Sequence, residues 1–527
     1  MVNFFKKTYI LPVTAGIFLG LSFTGLGIGF LVAAAFALLL IYHRKSVEAG
    51  KSIYTFCSGI YLSFFIFNLI ACSWITLASI FGGLSEILIN SAIMSVPCIL
   101  FAWAYRLKGR GVAKLMLLAL WLGMEYLHTN WELEWPWLHL GNAFAFWPEL
   151  VQWYRFTGVA GGTAWLLLLA LSADAVILRW ISHASVRIKA TESALFTAIL
   201  TIPIIISLAM PESSETAEHS EDIVAVQPNF DPYGNDGLSH RNRLSKLISQ
   251  TQSAMDSNVT IVLWPEGAVE GALWENNLTE RSDFMPVLQL SKQWPGAEFI
   301  VGASTFRRFH IEEATATSRK LPTGGEYDVY NSLIHLRDGQ IIGVRHKSKL
   351  VLGVEKIPFP GLMQYAASFI DWLGGSIGSL GSDDSLISFV SGNGDRITSL
   401  VCYESVFGEY AASQPSSLLT IHTNDGWWGN SLGHRQHFAY AKLRAIETQQ
   451  YVGRSAYNGI SGIINADGKV IQQVPYRTAG TARAIVPMLS SITFYQQNGD
   501  FIGRWASFLS IILTIYIFVQ SQISRRK

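Results

Sequence analysis

The chain is 527 residues long, half of them apolar and only 15% charged, with a mean hydropathy of +0.29 and a formal net charge of +1. A charged fraction so far below the roughly 25% usual for soluble proteins excludes an ordinary soluble enzyme, and the near-neutral balance leaves no electrostatic footprint for nucleic acid. The apolar residues are segregated: 9–210 and 503–521 are greasy, whereas 211–490 has the composition of a soluble domain. This predicts a membrane protein carrying one large water-facing domain.

A membrane-crossing helix needs about 20 mostly apolar residues. In chain order, eight stretches qualify as candidate spans: 9–26, 28–42, 54–80, 85–105, 112–128, 160–180, 193–210 and 503–521. The expected organisation is a membrane domain over 1–210 with seven spans, a folded domain at 221–490, and the eighth span at 503–521. Basic residues cluster in alternate loops (Lys6 and Lys7; Arg44, Lys45 and Lys51; Arg106, Lys108, Arg110 and Lys114; Arg179, Arg187 and Lys189; Arg525, Arg526 and Lys527). By the positive-inside rule both termini are cytoplasmic and the large domain faces outward, into the periplasm in a bacterium. The outward loop at 129–158 carries five tryptophans in NWELEWPWLHLGNAFAFWPELVQWYRF and is expected at the bilayer interface.

Between the seventh and eighth spans, short β-branched runs recur: DIVAVQ, TIVLW, EFIVGAS, VYNSLIHL, QIIGVRHK, ITSLVCY, LLTIHT, YVGRSAY and GISGIIN. Helical patterns at 238–256 and 434–450 interleave with them, predicting an α/β sandwich with largely buried sheets. The Gly-, Ser-, Thr- and Asp-rich segments 311–326 and 371–395 read as long loops, and the second, with FIDWLGG at its start, is a candidate membrane-dipping lid.

Three of the four cysteines, Cys57, Cys72 and Cys98, lie in greasy segments; Cys402 alone stands in the water-facing domain. A free cysteine is most often a small buried hydrophobe. Here, however, ITSLVC reads as a buried strand and ESVFGEYAAS as the start of a helix, so Cys402 sits at a strand-to-helix turn whose helix N-terminus would favour the thiolate. Two other strand ends offer partners. TIVLWPEGAVE sets Glu266 after an apolar run, where partial desolvation would suit a general base, and QIIGVRHKSKLVLGVE sets Lys347 or Lys349 at another strand end. His422, His434 and His437 lack a carboxylate or thiolate completing a usual metal-ligand pattern, so they read as hydrogen-bonded histidines and no metal is expected.

The order Glu, Lys, Cys at three strand ends resembles the nitrilase superfamily. The blocks WPEG, HKSKLVLGVE, VCYESVFGEY and TNDGWWG, together with the span arrangement, resemble its membrane-bound branch, the apolipoprotein N-acyltransferases, over essentially the whole chain. The resemblance implies an αββα sandwich beside eight transmembrane helices. It implies Glu266, Lys347 and Cys402 as catalytic residues, and Glu355, Tyr403, Glu404, Tyr233, Asn424 and Trp427 as supporting or substrate-binding ones. Asp425, Arg444, Glu447, Arg454 and Asn458 fall in blocks resembling the family's. The chain departs from the pattern where LGVE replaces PFGE and where QPNFDPYGND replaces a QGN block.

The implied reaction needs no cofactor. A membrane phospholipid donates an acyl chain to Cys402 as a thioester, and the α-amine of a diacylglyceryl-cysteine on an apolipoprotein accepts it. The implied partners are the phospholipid, the diacylated apolipoprotein and the bilayer; the charge balance predicts no nucleic acid, and the orientation a membrane imposes predicts a monomer. A membrane-anchored amidase using the same triad remains the alternative.

Overall fold

A computed structural model describes residues 2–27, 29–212, 217, 219–310, 313, 315, 317–322, 324–359 and 379–526. Two compact units result, one from Met1–Thr76, Ile80–Met210 and Asn498–Lys527, the other from Leu77–Ser79 and Pro211–Gln497.

The first unit is helical. Among the described residues, five helices are long and apolar enough to cross a membrane: Ile53–Cys72, Ile80–Leu127, Tyr154–Ile181, Val186–Ala209 and Phe501–Ser524. At 1.5 Å per residue an unbroken Ile80–Leu127 helix would run about 70 Å, more than twice a hydrocarbon core of about 30 Å. Gly109 breaks it with φ 74°, a value that suits glycine alone, and the expected spans 85–105 and 112–128 fall on its two halves. The spans expected at 9–26 and 28–42 fall on helices Val2–Ser22 and Leu31–Glu48, which are not among those five.

Two buried carboxylates in this unit are partnered. Asp174 meets Arg44, Arg110 Nη2 at 2.6 Å and Lys114 Nζ at 3.2 Å, tying three helices together. Glu125 accepts from Trp121 Nε1 (3.0 Å), the Leu140 amide (2.8 Å) and Thr163 Oγ1 (2.7 Å). The tryptophan-rich loop joins the helices Ile80–Leu127 and Tyr154–Ile181. It folds into three 3₁₀ turns, Pro136–Leu138, Leu140–Phe144 and Pro148–Leu150, and Trp137, Leu140 and Phe144 are buried. Its polar backbone is held by Glu125 and by Tyr154, whose hydroxyl donates to the Gly141 carbonyl at 3.0 Å.

The second unit is a four-layer αββα sandwich. Its strands are β1 (Ser220–Gln227), β2 (Val259–Leu263), β3 (Val269–Trp274), β4 (Glu298–Phe309), β5 (Arg319–Lys320), β6 (Glu326–Arg337), β7 (Gln340–His346), β8 (Phe389–Val390), β9 (Arg396–Val401), β10 (Leu418–Thr423), β11 (Val452–Ala456), β12 (Ser461–Ile464), β13 (Val470–Val474) and β14 (Gly480–Pro487). One sheet runs β14-β1-β2-β4-β6-β5, with β3 on β4 and β7 on β6; the other runs β13-β12-β11-β10-β9-β8. The central pairs β1/β2, β2/β4, β9/β10 and β10/β11 are parallel.

Period-two alternation sorts the side chains. Val224, Val226, Val262, Phe299 and Val301 pack with Leu244, Leu247, Val287 and Leu290 of helices His240–Ala254 and Met285–Gln293. The intervening Ile223, Ala225, Ile261, Leu263 and Ile300 meet Ile397, Val401, Leu418 and Ile463 of the other sheet. That sheet's outer face, through Leu400, Leu419 and Ile421, buries Phe438, Ala441 and Ala445 of helix Leu432–Thr448. Strands buried on both faces are the reason the sequence shows continuous apolar runs there.

The expected loop 311–326 contains β5, and 371–395 contains β8. The proposed lid's FIDWLGG start lies outside the described residues. Ahead of β1, His219 bonds Asp395 at 2.7 Å and lies 3.4 Å from Glu221, fastening the entry of the sandwich to the β8–β9 hairpin.

Candidate active site

Three strand ends converge. After β2, Trp264-Pro265-Glu266 turns the chain under Gly302 of β4. A Cβ at Gly302 would lie 2.1 Å from the Pro265 carbonyl oxygen and 2.7 Å from the Glu266 Cα, so only glycine admits this approach. His422 of β10 fixes the same turn: its Nδ1 donates to the Trp264 carbonyl at 2.7 Å. Burial pushes the His422 imidazole down to about 4, so the ring is neutral, a hydrogen-bonded histidine as its sequence context suggested.

Glu266 accepts at Oε1 from Asn331 Nδ2 (2.6 Å) and Lys347 Nζ (3.1 Å), and at Oε2 from the Asn424 backbone amide (2.9 Å). Lys347 follows β7 directly. Its side chain is buried, and its ammonium also lies 2.9 Å from the Glu355 carboxylate. Burial alone would lower its pKa, but the Glu266 and Glu355 charges overcome that and hold the ammonium firmly protonated. Lys349, the other candidate in the sequence, lies over the Phe407 ring instead, 4.9 Å from its centroid.

Glu355 comes from the LGVE turn. Gly353 takes φ 76°, the turn closes through Gly353 N–H to Lys356 O at 2.8 Å and Lys356 N–H to Val351 O at 3.1 Å, and the Val351 amide donates to Glu355 Oε2 at 2.9 Å. The chain thus delivers this carboxylate to Lys347 without the family's proline.

Cys402 directly follows β9 and is buried, with φ 47°. A left-handed conformation is strained for a residue with a side chain and persists only where its surroundings enforce it. The expected α-helix does not follow. Residues Cys402–Val406 form a single 3₁₀ turn, and the next helix is only Gly408–Ala411. No helix dipole of useful length acts on the sulfur, and the thiol does not favour ionisation at rest. Burial and the Glu266 charge push its pKa well up, and Lys347 offsets this only in part.

Other residues hold this turn. Glu404 is buried and accepts from Arg345 Nη2 (2.7 and 2.8 Å), the Ser348 amide (2.6 Å) and the Val401 amide (2.7 Å), joining the lysine strand to the cysteine turn. Arg444 Nη1 donates to the Val406 carbonyl at 2.9 Å and pairs through Nε with Glu447 at 2.8 Å. Asp425 bonds Arg454 (2.8 Å), His437 (2.8 Å) and Thr423 (2.8 Å); Arg454 and His437 hold its carboxyl well below the usual range despite burial. Asn458 lies against Gly426. Tyr403 is buried edge-on to Phe407 at 5.0 Å. Tyr233 and Trp427 are exposed, their rings 5.1 Å apart, with the Tyr233 hydroxyl donating to the Trp427 carbonyl at 3.0 Å.

The structure therefore gathers Glu266, Lys347, Glu355 and the Asn424 backbone around one point, and the charges of Glu266 and Lys347 both bear on Cys402. Glu404 belongs to a separate buried network. Asn331, Arg345 and His437 were not singled out as contributors to the site by the sequence. The one available signal was a polar residue interrupting an apolar strand, as Asn331 does in VYNSLIHL.

A model described as carbon-nitrogen hydrolase matches residues 224–492, from within β1 to beyond β14. The chain belongs to the carbon–nitrogen hydrolase family. A second model, described as the apolipoprotein N-acyltransferase N-terminal domain, matches residues 15–172. Relatives named apolipoprotein N-acyltransferase align along the chain. The one from Chlorobaculum tepidum is 28% identical over 98% of this chain and 98% of its own length. Those from Pseudomonas syringae pv. tomato and Rickettsia prowazekii are 26% and 25% identical, over 85% and 97% of this chain and 83% and 98% of theirs. End-to-end similarity places this member of the family in its membrane-bound acyltransferase branch rather than among stand-alone hydrolase domains.

Proposed function

We propose that the protein transfers an acyl chain from a membrane phospholipid to the N-terminal α-amine of a diacylglyceryl-cysteine on an apolipoprotein, by a ping-pong route through a Cys402 thioester. The observation that carries this reading is a buried thiol on a strained strand end, influenced by a carboxylate and an ammonium that bond each other at 3.1 Å, in a chain related end to end to proteins named for this reaction.

Because the resting thiol is held protonated, a base must act with the attack. Glu266 takes the Cys402 proton as sulfur attacks the ester carbonyl. Lys347 and a backbone N–H near Tyr403 stabilise the tetrahedral oxyanion. As the C–O bond breaks, the Glu266 proton passes to the departing alkoxide, lysophospholipid leaves, and the acyl chain stays on sulfur. The acceptor amine then attacks the thioester carbonyl, Glu266 takes a proton from the nitrogen, and the C–S bond breaks to return the thiol. Glu355 and Asn331 keep Lys347 and Glu266 in place through both halves. Loop charge supports a cytoplasmic location for both termini, with the 221–490 domain in the periplasm, where lipid-anchored substrates meet it.

The test is intact mass spectrometry of the detergent-purified protein after incubation with phosphatidylethanolamine alone. The expected result is a mass gain of one acyl chain, labile to neutral hydroxylamine, absent in Cys402→Ala and cleared by a diacylglyceryl-cysteine peptide. Absence of an adduct on folded protein across phospholipids would sink the reading.

A further inference from the structure

The strained conformation of Cys402 must be enforced by something. The Glu404 network grips the peptide before the cysteine and leaves the cysteine's own carbonyl to other groups. That carbonyl accepts from Ser405 Oγ at 2.8 Å and faces His437 Nε2 at 3.1 Å, while Ser405 Oγ and His437 Nε2 are 2.9 Å apart. On the far edge of the ring, Nδ1 lies 2.8 Å from Asp425 Oδ1. A carbonyl can only accept, so the Cys402 contact calls for a proton on Nε2, while at the other edge Nδ1 is held between Asp425 Oδ1 and Arg454 Nη2, the latter 3.0 Å away. Asp425 is itself fixed by Arg454 and Thr423, so the ring cannot turn without breaking buried bonds.

Helix geometry adds a second hold. His437 and Arg444 are seven residues apart on helix Leu432–Thr448, hence on one face. His437 meets the first carbonyl of the 3₁₀ turn and Arg444 the last, Val406 O at 2.9 Å. A single 3₁₀ turn leaves carbonyls that its own backbone cannot satisfy. This helix supplies the missing donors and acts as a splint along the nucleophile turn.

We propose that His437 is a positioning residue of the acyl-transfer reaction, holding the Cys402 carbonyl so that the backbone stays left-handed and Sγ stays aimed at the Glu266–Lys347 pair. The proposal rests on the acyl-transfer reading for its consequences in turnover, but not for its effect on the thiol. His437 acts in this role through the Cys402 backbone, although one of its ring nitrogens, an Asp425 oxygen and Cys402 Sγ lie within 4.8 Å of one another. Without its bond the turn relaxes toward ordinary backbone angles and the sulfur swings away from its base.

The experiment compares the full-length detergent-purified wild type with His437→Leu, which removes the donor, and His437→Gln, whose amide nitrogen reaches the place of Nε2. Three quantities are read: the melting temperature, the rate of Cys402 alkylation by iodoacetamide without lipid, and the rate of acyl-adduct formation from phosphatidylethanolamine. Loss of this buried hydrogen bond predicts a roughly tenfold fall in both rates for His437→Leu. His437→Gln should recover most of it at an equal melting temperature, with KM for the lipid unchanged. Wild-type rates in folded His437→Leu would overturn the proposal. So would equal impairment of the two variants in step with lost melting temperature, the mark of a purely structural residue. Should His437→Leu not fold, Ser405→Ala removes the companion donor to the same carbonyl, and unchanged rates there also overturn it. If no lipid adduct forms even in the wild type while the alkylation rates still separate the variants, the acyl-transfer reading fails and the positioning role stands.

Discussion

At Cys402 the electrostatics run against a pre-formed thiolate. Burial removes water from the sulfur, the Glu266 charge repels a second negative charge, and the Lys347 ammonium is already shared between two carboxylates. The resting enzyme therefore stores a thiol, protected from oxidation and adventitious acylation. The expected consequence is a pH–rate profile for iodoacetamide alkylation that is slow at neutral pH and climbs about tenfold per pH unit, with no plateau below pH 9, because only the thiolate reacts. Replacing Lys347 with Met removes the one favourable charge and should slow alkylation further at every pH. A plateau below pH 8 would show an ionised cysteine at rest and would remove the need for Glu266 as base.

Between elements, the active site depends on side chains that clamp strand ends together. His346 closes β7 immediately before Lys347. Its Nδ1 lies 2.8 Å from Asp383 Oδ1, its Nε2 2.8 Å from Glu275 Oε1, and its ring lies 4.0 Å from that of Tyr330. Burial alone would lower its pKa, but hydrogen bonds and charges from Asp383 and Glu275 raise it to about 9. The folded value exceeds the unfolded one, near 6.5. The imidazolium's contribution is therefore complete below about pH 6.5, declines as pH rises, and is gone above about 9. Its ceiling is about 3 kcal/mol, since one pKa unit corresponds to about 1.4 kcal/mol. Asp383 and Glu275, whose values are lowered, add stability that is present above their unfolded pKa, near 4, and lost as pH falls below it. The sandwich should be most stable near pH 5–6.5 and lose melting temperature steadily from pH 6.5 to 9.5. His346→Gln should abolish that decline and begin from a lower value, measured by thermal unfolding across the pH series. A wild-type melting temperature that is flat over this range would remove the clamp from the account.

The same elements show why parts of the molecule were legible in the sequence and parts were not. β1, β2, β4, β6, β9 and β10 are buried on both faces and announce themselves as apolar runs. β13 (VIQQV) is mostly exposed and β14 (GTARAIVP) mixes polar with apolar positions, so neither stood out. Glu266, Lys347 and Cys402 were readable because each terminates an apolar run. The turn after Cys402 was misread because ESVFGEYAAS has helical composition, whereas Glu404 spends its carboxylate on Arg345 and two backbone amides and closes a 3₁₀ turn instead. Asn331, Arg345 and His437 act on partners 65, 59 and 35 residues away in sequence, which local periodicity does not register.

At the scale of the whole molecule, one chain joins a helical unit, whose described residues include five membrane-length helices, to a hydrolase sandwich entered and left through that unit. A water-soluble amide would need no such arrangement, since bulk diffusion delivers it to a soluble domain equally well. Two lipid-anchored substrates do need it. Confinement to a surface raises their effective concentration, and it makes surface mole fraction, rather than bulk concentration, the variable that sets the rate. Mixed micelles separate these cases. Holding bulk phosphatidylethanolamine and diacylglyceryl-cysteine peptide constant while adding inert detergent dilutes both on the surface alone. Tenfold surface dilution below saturation should lower each half-reaction about tenfold, in proportion to surface mole fraction. Double-reciprocal plots against the two surface concentrations should stay parallel, the pattern of the proposed order in which lysophospholipid leaves before the acceptor binds. An amidase acting on a soluble substrate would show no response to the added detergent. Intersecting lines would mean that donor and acceptor bind together, and the acyl group would then pass between them without resting on Cys402 as a free-standing thioester.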